Sequence, residues 1–131
     1  MTIVVGWVPA PEGRAALAHA FTEAAARRAP LHVLGAGVEQ EDELTADIAL
    51  ARAAAGATEV EVLREPAADE DRSAADALVD ASYRDDVELV VIGLRRRSPV
   101  GKLLLGSTSQ RVLLEADCPV TAVKPPVARA G

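Results

Sequence analysis

Three observations predict an α/β domain in which a parallel sheet of five strands carries helices on both faces. Residues 3–8 are continuously apolar and 87–92 nearly so, with Glu88 as the one polar residue, as strands buried on both faces are. Five strand-like segments alternate with four helix-like ones, and right-handed crossovers then produce a parallel sheet with a helical layer on either side. The chain has 131 residues, 50% hydrophobic but 2% aromatic, which suits one core of Ala, Val, Leu and Ile and is too short for two domains.

The first strand, 3–8, is closed by Pro9 and Pro11. An alanine-rich helix is expected from Glu12 to about Ala29, with Leu17, Phe21 and Ala24 or Ala25 on one face and Pro30 as its stop. Residues 31–38 read as the second strand, weakened at its far end by Gly35 and Gly37. Residues 41–55 are helical by propensity, with acids at the start and Gly56 at the end. Residues 58–64 alternate polar with apolar, the pattern of an edge strand with one wetter face.

A charged loop over 66–72 leads to a helix that ends near Tyr83 and carries Ala74, Leu78 and Ala81 as its stripe. Gly93 stops the fourth strand, 87–92, and a loop is expected from Leu94 to about Leu103. The last helix, Ser107 to Ala116, turns Val112, Leu113 and Ala116 inward, and Ser107 with Gln110 has the spacing of a capping box. Residues 118–123 form the last strand. The domain is expected to span 1–124, with a loose tail over 125–131.

Fourteen basic residues against twenty acidic ones give a net charge of −6, which argues against nonspecific nucleic-acid binding and against an anionic membrane surface. Cys118 is alone and cannot form an internal bridge, and the first residues lack the basic flank and cleavage site of a leader. No apolar run reaches the roughly twenty residues of a membrane span, so a cytoplasmic protein is expected. His19 and His32 have no Ser, Cys or Asp at a nucleophilic spacing and read as structural. Cys118 reads as a small core residue and Trp7 as packing. The acids at 39–43 and 69–71 read as solvated segments without EF-hand spacing, so neither a metal site nor a catalytic residue is expected.

Ligands of such sheets bind beyond the carboxyl ends of the strands, where the strand order reverses. If the two most apolar strands are central neighbours, the loops after Val8 and Ile92 border that crevice. The segment from Gly93 to Thr108 joins a buried strand to a helix start. Gly93 and Gly106 allow close backbone approach, while Ser107, Thr108 and the first amides of the helix are donors for a phosphate. Arg95, Arg96, Arg97 and Lys102 concentrate positive charge there. The same features also describe an ordinary capped helix behind an exposed loop.

Gly93, an interval of 12 residues, Gly106-Ser107-Thr108, a helix and then Cys118-Pro119-Val120 resemble the carboxyl-terminal signature of the universal stress protein (UspA-like) family. Asp86 to Gly93, Ile3-Val4-Val5-Gly6 and Pro11-Glu12 before an alanine-rich helix are similar too, so the resemblance spans almost the whole chain. It implies an adenine nucleotide alpha hydrolase-like fold with strand order 3-2-1-4-5. It also implies a homodimer through the last strand, here Pro119, Val120, Thr121, Ala122 and Val123.

The family divides into members that bind ATP and members that do not. Its ATP-binding pattern is Gly, two residues, Gly, nine residues, Gly and then Ser or Thr. This chain keeps Gly93, Gly106 and Ser107 but has Arg96 where the second glycine belongs. Val8, followed by Pro9, stands where nucleotide binders of the family carry an Asp. A valine cannot accept the hydrogen bonds of a base, a loss of about 1 to 3 kcal/mol. Arg96 either fills the space of the nucleoside and phosphates or swings out to pair with a phosphate.

The expectation is a stress-response or regulatory binding module without tight ATP binding. Its candidate ligand residues are Val8, Pro9, Gly93, Leu94, Arg95, Arg96, Gly106, Ser107 and Thr108. The alternative is an ATP or AMP sensor with slow or no hydrolysis. A different phosphate-bearing anion is also open as the ligand.

Overall fold

A computed structural model describes residues 1–66, 73–97 and 102–126 of the protein. Its elements are β1 (Thr2–Gly6), α1 (Pro11–Arg27), β2 (Leu31–Ala36), a short 3-10 turn (Val38–Gln40), α2 (Glu41–Ala55), β3 (Val62–Pro66), α3 (Ala74–Ser82), β4 (Val87–Gly93), β5 (Arg95–Arg97), β6 (Lys102–Leu104), α4 (Ser107–Glu115) and β7 (Val120–Val123). The main sheet has the order β3-β2-β1-β4-β7, and its pairings are all parallel. Counting strands of that sheet alone, this is the expected 3-2-1-4-5.

Alternation along the strands divides the core in two. Ile3, Val5, Leu31, Val33 and Val91 face α1 and α2, where they meet Leu17, Phe21 and Leu44. Val4, Leu34, Val90 and Ile92 face α3 and α4, where they meet Leu78, Val79 and Val112. Strands with a core on each side are apolar on both faces, which is why residues 3–5 of β1 and 89–92 of β4 are unbroken apolar runs. Among the described residues no helix is long and apolar enough to cross a membrane.

Several boundaries differ from the sequence expectation. The third strand begins at Val62, not near Thr58. The Arg52 guanidinium donates to the carbonyls of Ala57, Thr58 and Val60 and ties this stretch into a turn, so pairing with β2 begins where the Glu61 carbonyl accepts from Leu31. The second strand ends at Ala36, past a register shift between Leu34 and Ala36. The expected loop after Leu94 contains an antiparallel ribbon, with Arg95 opposite Leu104, Arg96 opposite Leu103 and Arg97 opposite Lys102. Arginine-rich composition resembles a solvated loop, and pairing of the backbone overrides it. The last strand starts at Val120; Pro119 has no N–H to give and contributes its carbonyl to Val90.

Capping is also redistributed. Ser107 is the first residue inside α4, so it does not cap it: Gly106 is the N-cap and has no side chain to close the helix start, and Gln110 Nε2 donates to the Leu105 carbonyl. The capping box lies instead at α3, where Ser73 accepts from the Asp76 amide and Asp76 accepts from the Ser73 amide. On α4, Val112 is fully buried, whereas Leu113 is 39% exposed. Residues 69–71 and the end of the tail, 127–131, lie outside the described residues.

Across the wetter part of the sheet, Arg84 donates to both oxygens of Glu65, and His32 Nδ1 lies 3.4 Å from Glu65 Oε1. The bond from Arg84 holds the Glu65 carboxyl below its ordinary 4.5 against the opposing effect of burial. A depressed folded-state value stabilises the protein above pH 4.5 and is lost as pH falls through that lower value. Thermal melts are therefore expected to lose stability on acidification below about pH 4.5 less steeply in Glu65→Gln than in the parent. Parallel profiles would disprove this linkage.

Candidate functional site

Between the carboxyl ends of β1 and β4 the crossovers leave in opposite directions, one toward β2 and one toward β7, and the resulting gap is a cleft of about 410 Å³. Gly6, Trp7 and Val8 form its floor at the end of β1, with Ile92 and Gly93 beside them. Glu12 and Gly13 come from the first turn of α1, and Leu34 and Gly35 from the end of β2. Ala74, Ala77 and Leu78 of α3 complete an apolar side. Gly106, Ser107, Thr108 and Ser109 bring the start of α4 to the cleft beside α3, and Arg95 borders it from the ribbon.

Of the residues expected from sequence, the structure gathers Val8, Gly93, Arg95, Gly106, Ser107 and Thr108 around this one cleft. Pro9 and Leu94 do not line it. Pro9 points to solvent, and Leu94 uses its N–H on the Val123 carbonyl to continue the β4–β7 pairing. The backbone of Arg96 is committed to the ribbon opposite Leu103, and its side chain lies outside the described ones. Lining residues missed in the sequence are Glu12, Gly13, Leu34, Gly35, Ala74, Ala77, Leu78 and Ser109. Leu34 and Gly35 had a usable signal, being at the carboxyl end of a strand beside the crevice. The α3 residues carried none, because a stripe that packs a core and a stripe that borders a cleft look alike.

The two glycines of the segment have different causes. A Cβ on Gly93 would stand 2.0 Å from the Glu12 carbonyl oxygen, so glycine is required there by the packing of α1 against β4. A Cβ on Gly106 would meet nothing within 4 Å, so the fold itself makes no such demand at the mouth of α4.

The start of α4 is chemically open. A helix leaves its first amides without intrahelical carbonyls, and here the N-cap, Gly106, has no side chain to accept from them. Donors at the positive end of a helix macrodipole, beside the hydroxyls of Ser107 and Thr108, are suited to a phosphate or carboxylate. The described charged side chains of the cleft are two of opposite sign: Arg95 Nε lies 3.8 Å from Glu12 Oε1. Arg95 is 72% exposed in its side chain, Glu12 only 20%.

Trp7 offers no stacking platform, because its side chain is 1% exposed and its Nε1 donates to Asp47 Oδ2 at 3.0 Å. Val8 is 43% exposed and offers the cleft methyl groups without a side-chain acceptor. Cys118 is half-buried, and burial pushes its thiol up, away from the reactive thiolate. Among the described residues no group of His, Cys, Asp and Glu is placed to hold a metal ion.

The sequence model of the universal stress protein family matches residues 1–124. A universal stress protein of Mycolicibacterium smegmatis is 41% identical over 133 residues, covering 94% of this chain and 97% of that protein. The solved universal stress protein from Archaeoglobus fulgidus is 29% identical and superposes with a TM-score of 0.69 over 95% of this chain and 98% of its own. A universal stress protein crystallised in complex with cAMP is 24% identical, with a TM-score of 0.69 over 96% of this chain and 98% of its own.

Proposed function

The chain belongs to the universal stress protein family, and from that premise we propose that it is a cytoplasmic regulatory protein acting by binding, with the cleft as its ligand site. The ligand is a small phosphate-bearing molecule of nucleotide type, held without tight ATP binding and without turnover. One observation carries this reading: the first turn of α4, with a glycine as its N-cap, borders a 410 Å³ cleft that Leu34, Leu78 and Ile92 also line. Amides and hydroxyls there suit a phosphate, and Leu34, Leu78 and Ile92 suit a flat or aliphatic moiety. The fold neighbour solved with cAMP is in keeping with a nucleotide ligand.

Two features argue against tight ATP binding. Val8 gives a base no acceptor, and Arg95, the described cation of the cleft, is already paired with Glu12. For the absence of turnover, the support is that Glu12, the one carboxylate among the described lining residues, is held in that pair rather than free to activate water.

Calorimetric titration with AMP, ADP and ATP, with and without magnesium, tests the reading. AMP is expected to bind in competition with inorganic phosphate, and ATP to bind no more tightly than AMP. Micromolar ATP affinity overturns the ranking, and no competition by phosphate overturns the site. Restoring the family pattern with Val8→Asp and Arg96→Gly is expected to tighten ATP binding by about tenfold or more, the equivalent of one recovered polar contact.

The same reading makes the protein a homodimer through β7. The Pro119 and Val123 carbonyls accept from Val90 and Leu94, so alternate residues face β4. Val120 and Ala122 therefore turn their N–H and C=O groups to the free edge. Ala122→Pro removes an outward donor without touching a bond to β4. Light scattering is expected to find a monomer with the circular dichroism of the parent, and a persisting dimer rejects this contact.

A further inference from the structure

Resting on the cleft as the ligand site, we propose that Glu12 is its charge filter, admitting a ligand with one phosphate group and discriminating against each phosphate added to it. Glu12 stands in the first turn of α1, and its side chain is mostly withdrawn from solvent. Its Cβ lies 3.1 Å from where a Cβ on Gly93 would be, which sets the side chain against the end of β4. From there its carboxylate reaches Arg95, on the ribbon that leads from β4 to α4.

Glu12 and Arg95 are the charged side chains among the described lining residues, and their charges cancel. Among the described residues, attraction for an anion in the cleft therefore comes mainly from the start of α4, whose dipole amounts to roughly half a charge. That is enough to seat one phosphate on the amides and the hydroxyls of Ser107 and Thr108. A second or third phosphate needs another cation, and among the described lining residues that cation is Arg95. Arg95 can turn to it only by leaving Glu12, and this strands a half-sheltered carboxylate next to the added negative charge. Repulsion of that kind is screened least where water is excluded.

The ligand class follows from this placement: nucleoside monophosphates and other singly phosphorylated molecules with an apolar moiety, in preference to di- and triphosphates. The resemblance includes Pro11-Glu12 but gives Glu12 no role, because that role depends on β4 and the ribbon being brought to the start of α1.

The test is a magnesium-free titration of the full chain with adenosine, AMP, ADP and ATP at one ionic strength, using the parent, Glu12→Gln and Glu12→Asp. In the parent, affinity is expected to fall from AMP to ATP by about fivefold or more. Glu12→Gln is expected to strengthen AMP by about threefold and ATP by about tenfold, flattening or inverting the series, while adenosine stays within about twofold. Glu12→Asp keeps the charge and is expected to keep the parental order. Nucleotide binding whose order is unchanged by Glu12→Gln overturns the filter alone, as does a gain for adenosine equal to that for ATP. Failure of every nucleotide to bind the parent and Glu12→Gln overturns the filter together with the cleft as ligand site. Melting curves establish that each variant is folded before it is scored.

Discussion

Gly93→Ala is expected to lower the melting temperature by about 10 °C or more, or to prevent folding. The new methyl group would stand 2.0 Å from the Glu12 carbonyl oxygen and 2.7 Å from its carbon, both backbone atoms that no rotamer change can move aside. Overpacking of this kind costs typically 1 to 3 kcal/mol, and about 3 is apt when backbone meets backbone. For a chain of this size each kcal/mol corresponds to roughly 3 to 5 °C.

Gly13→Ala meets the Val8 carbonyl oxygen at 1.9 Å and is expected to be comparably harmful. Both changes push the first turn of α1 away from the strand ends. The double variant should therefore lose less than the sum of the single losses, because relief of one clash moves the same turn. A melting temperature within about 3 °C of the parent for Gly93→Ala would show that this close approach is not enforced in solution.

Gly106→Asp is expected to do the opposite: stability holds or rises slightly while phosphate-dependent binding falls by about thirtyfold or more. Aspartate is among the better N-caps and glycine is only a few tenths of a kcal/mol worse, so the helix start does not suffer. The extended backbone at Gly106, φ −66° and ψ 169°, accepts an L-residue, and the site of its Cβ is open. The new carboxylate would take the first amides of α4 for itself and place a negative charge where the ligand's phosphate belongs. Gly106→Asn supplies the same cap without the charge. It should weaken binding by a smaller factor and so separate occupied donors from repulsion. Unimpaired nucleotide affinity in both variants, with melting unchanged, would remove α4 from the ligand site.

These two glycines show how the site was only partly legible. Both were visible in the sequence as members of one spaced pattern, and the pattern directed attention to the loop between a buried strand and the last helix. It did not separate a glycine demanded by a neighbouring carbonyl from one that leaves room at a helix start. That difference depends on where α1 lies relative to β4, across about eighty residues of chain. Ser107 carried a similar ambiguity. Its spacing to Gln110 fits a capping box, yet the helix begins at Ser107 itself, one residue after the cap, and this displacement leaves the amides uncovered. The pairing of 95–97 with 102–104 was illegible because short antiparallel pairing leaves little periodicity in a segment rich in arginine.

What the sequence determined by itself is the parallel sheet, its two helical layers and the central pairing of β1 with β4. Strands buried on both faces need apolar residues at every position, and helices need a stripe, so these requirements are written locally along the chain. The resemblance to a known family added the strand order and the part of the chain where a ligand would sit. Only the tertiary structure decided which residues meet there. Glu12 faces Arg95, Val8 is exposed in the cleft, the Trp7 indole is withdrawn onto Asp47, and Leu78 closes a wall from the far side of the sheet. Each of these depends on the distance between segments remote in sequence, and a pattern of spacings within one segment contains no term for that distance.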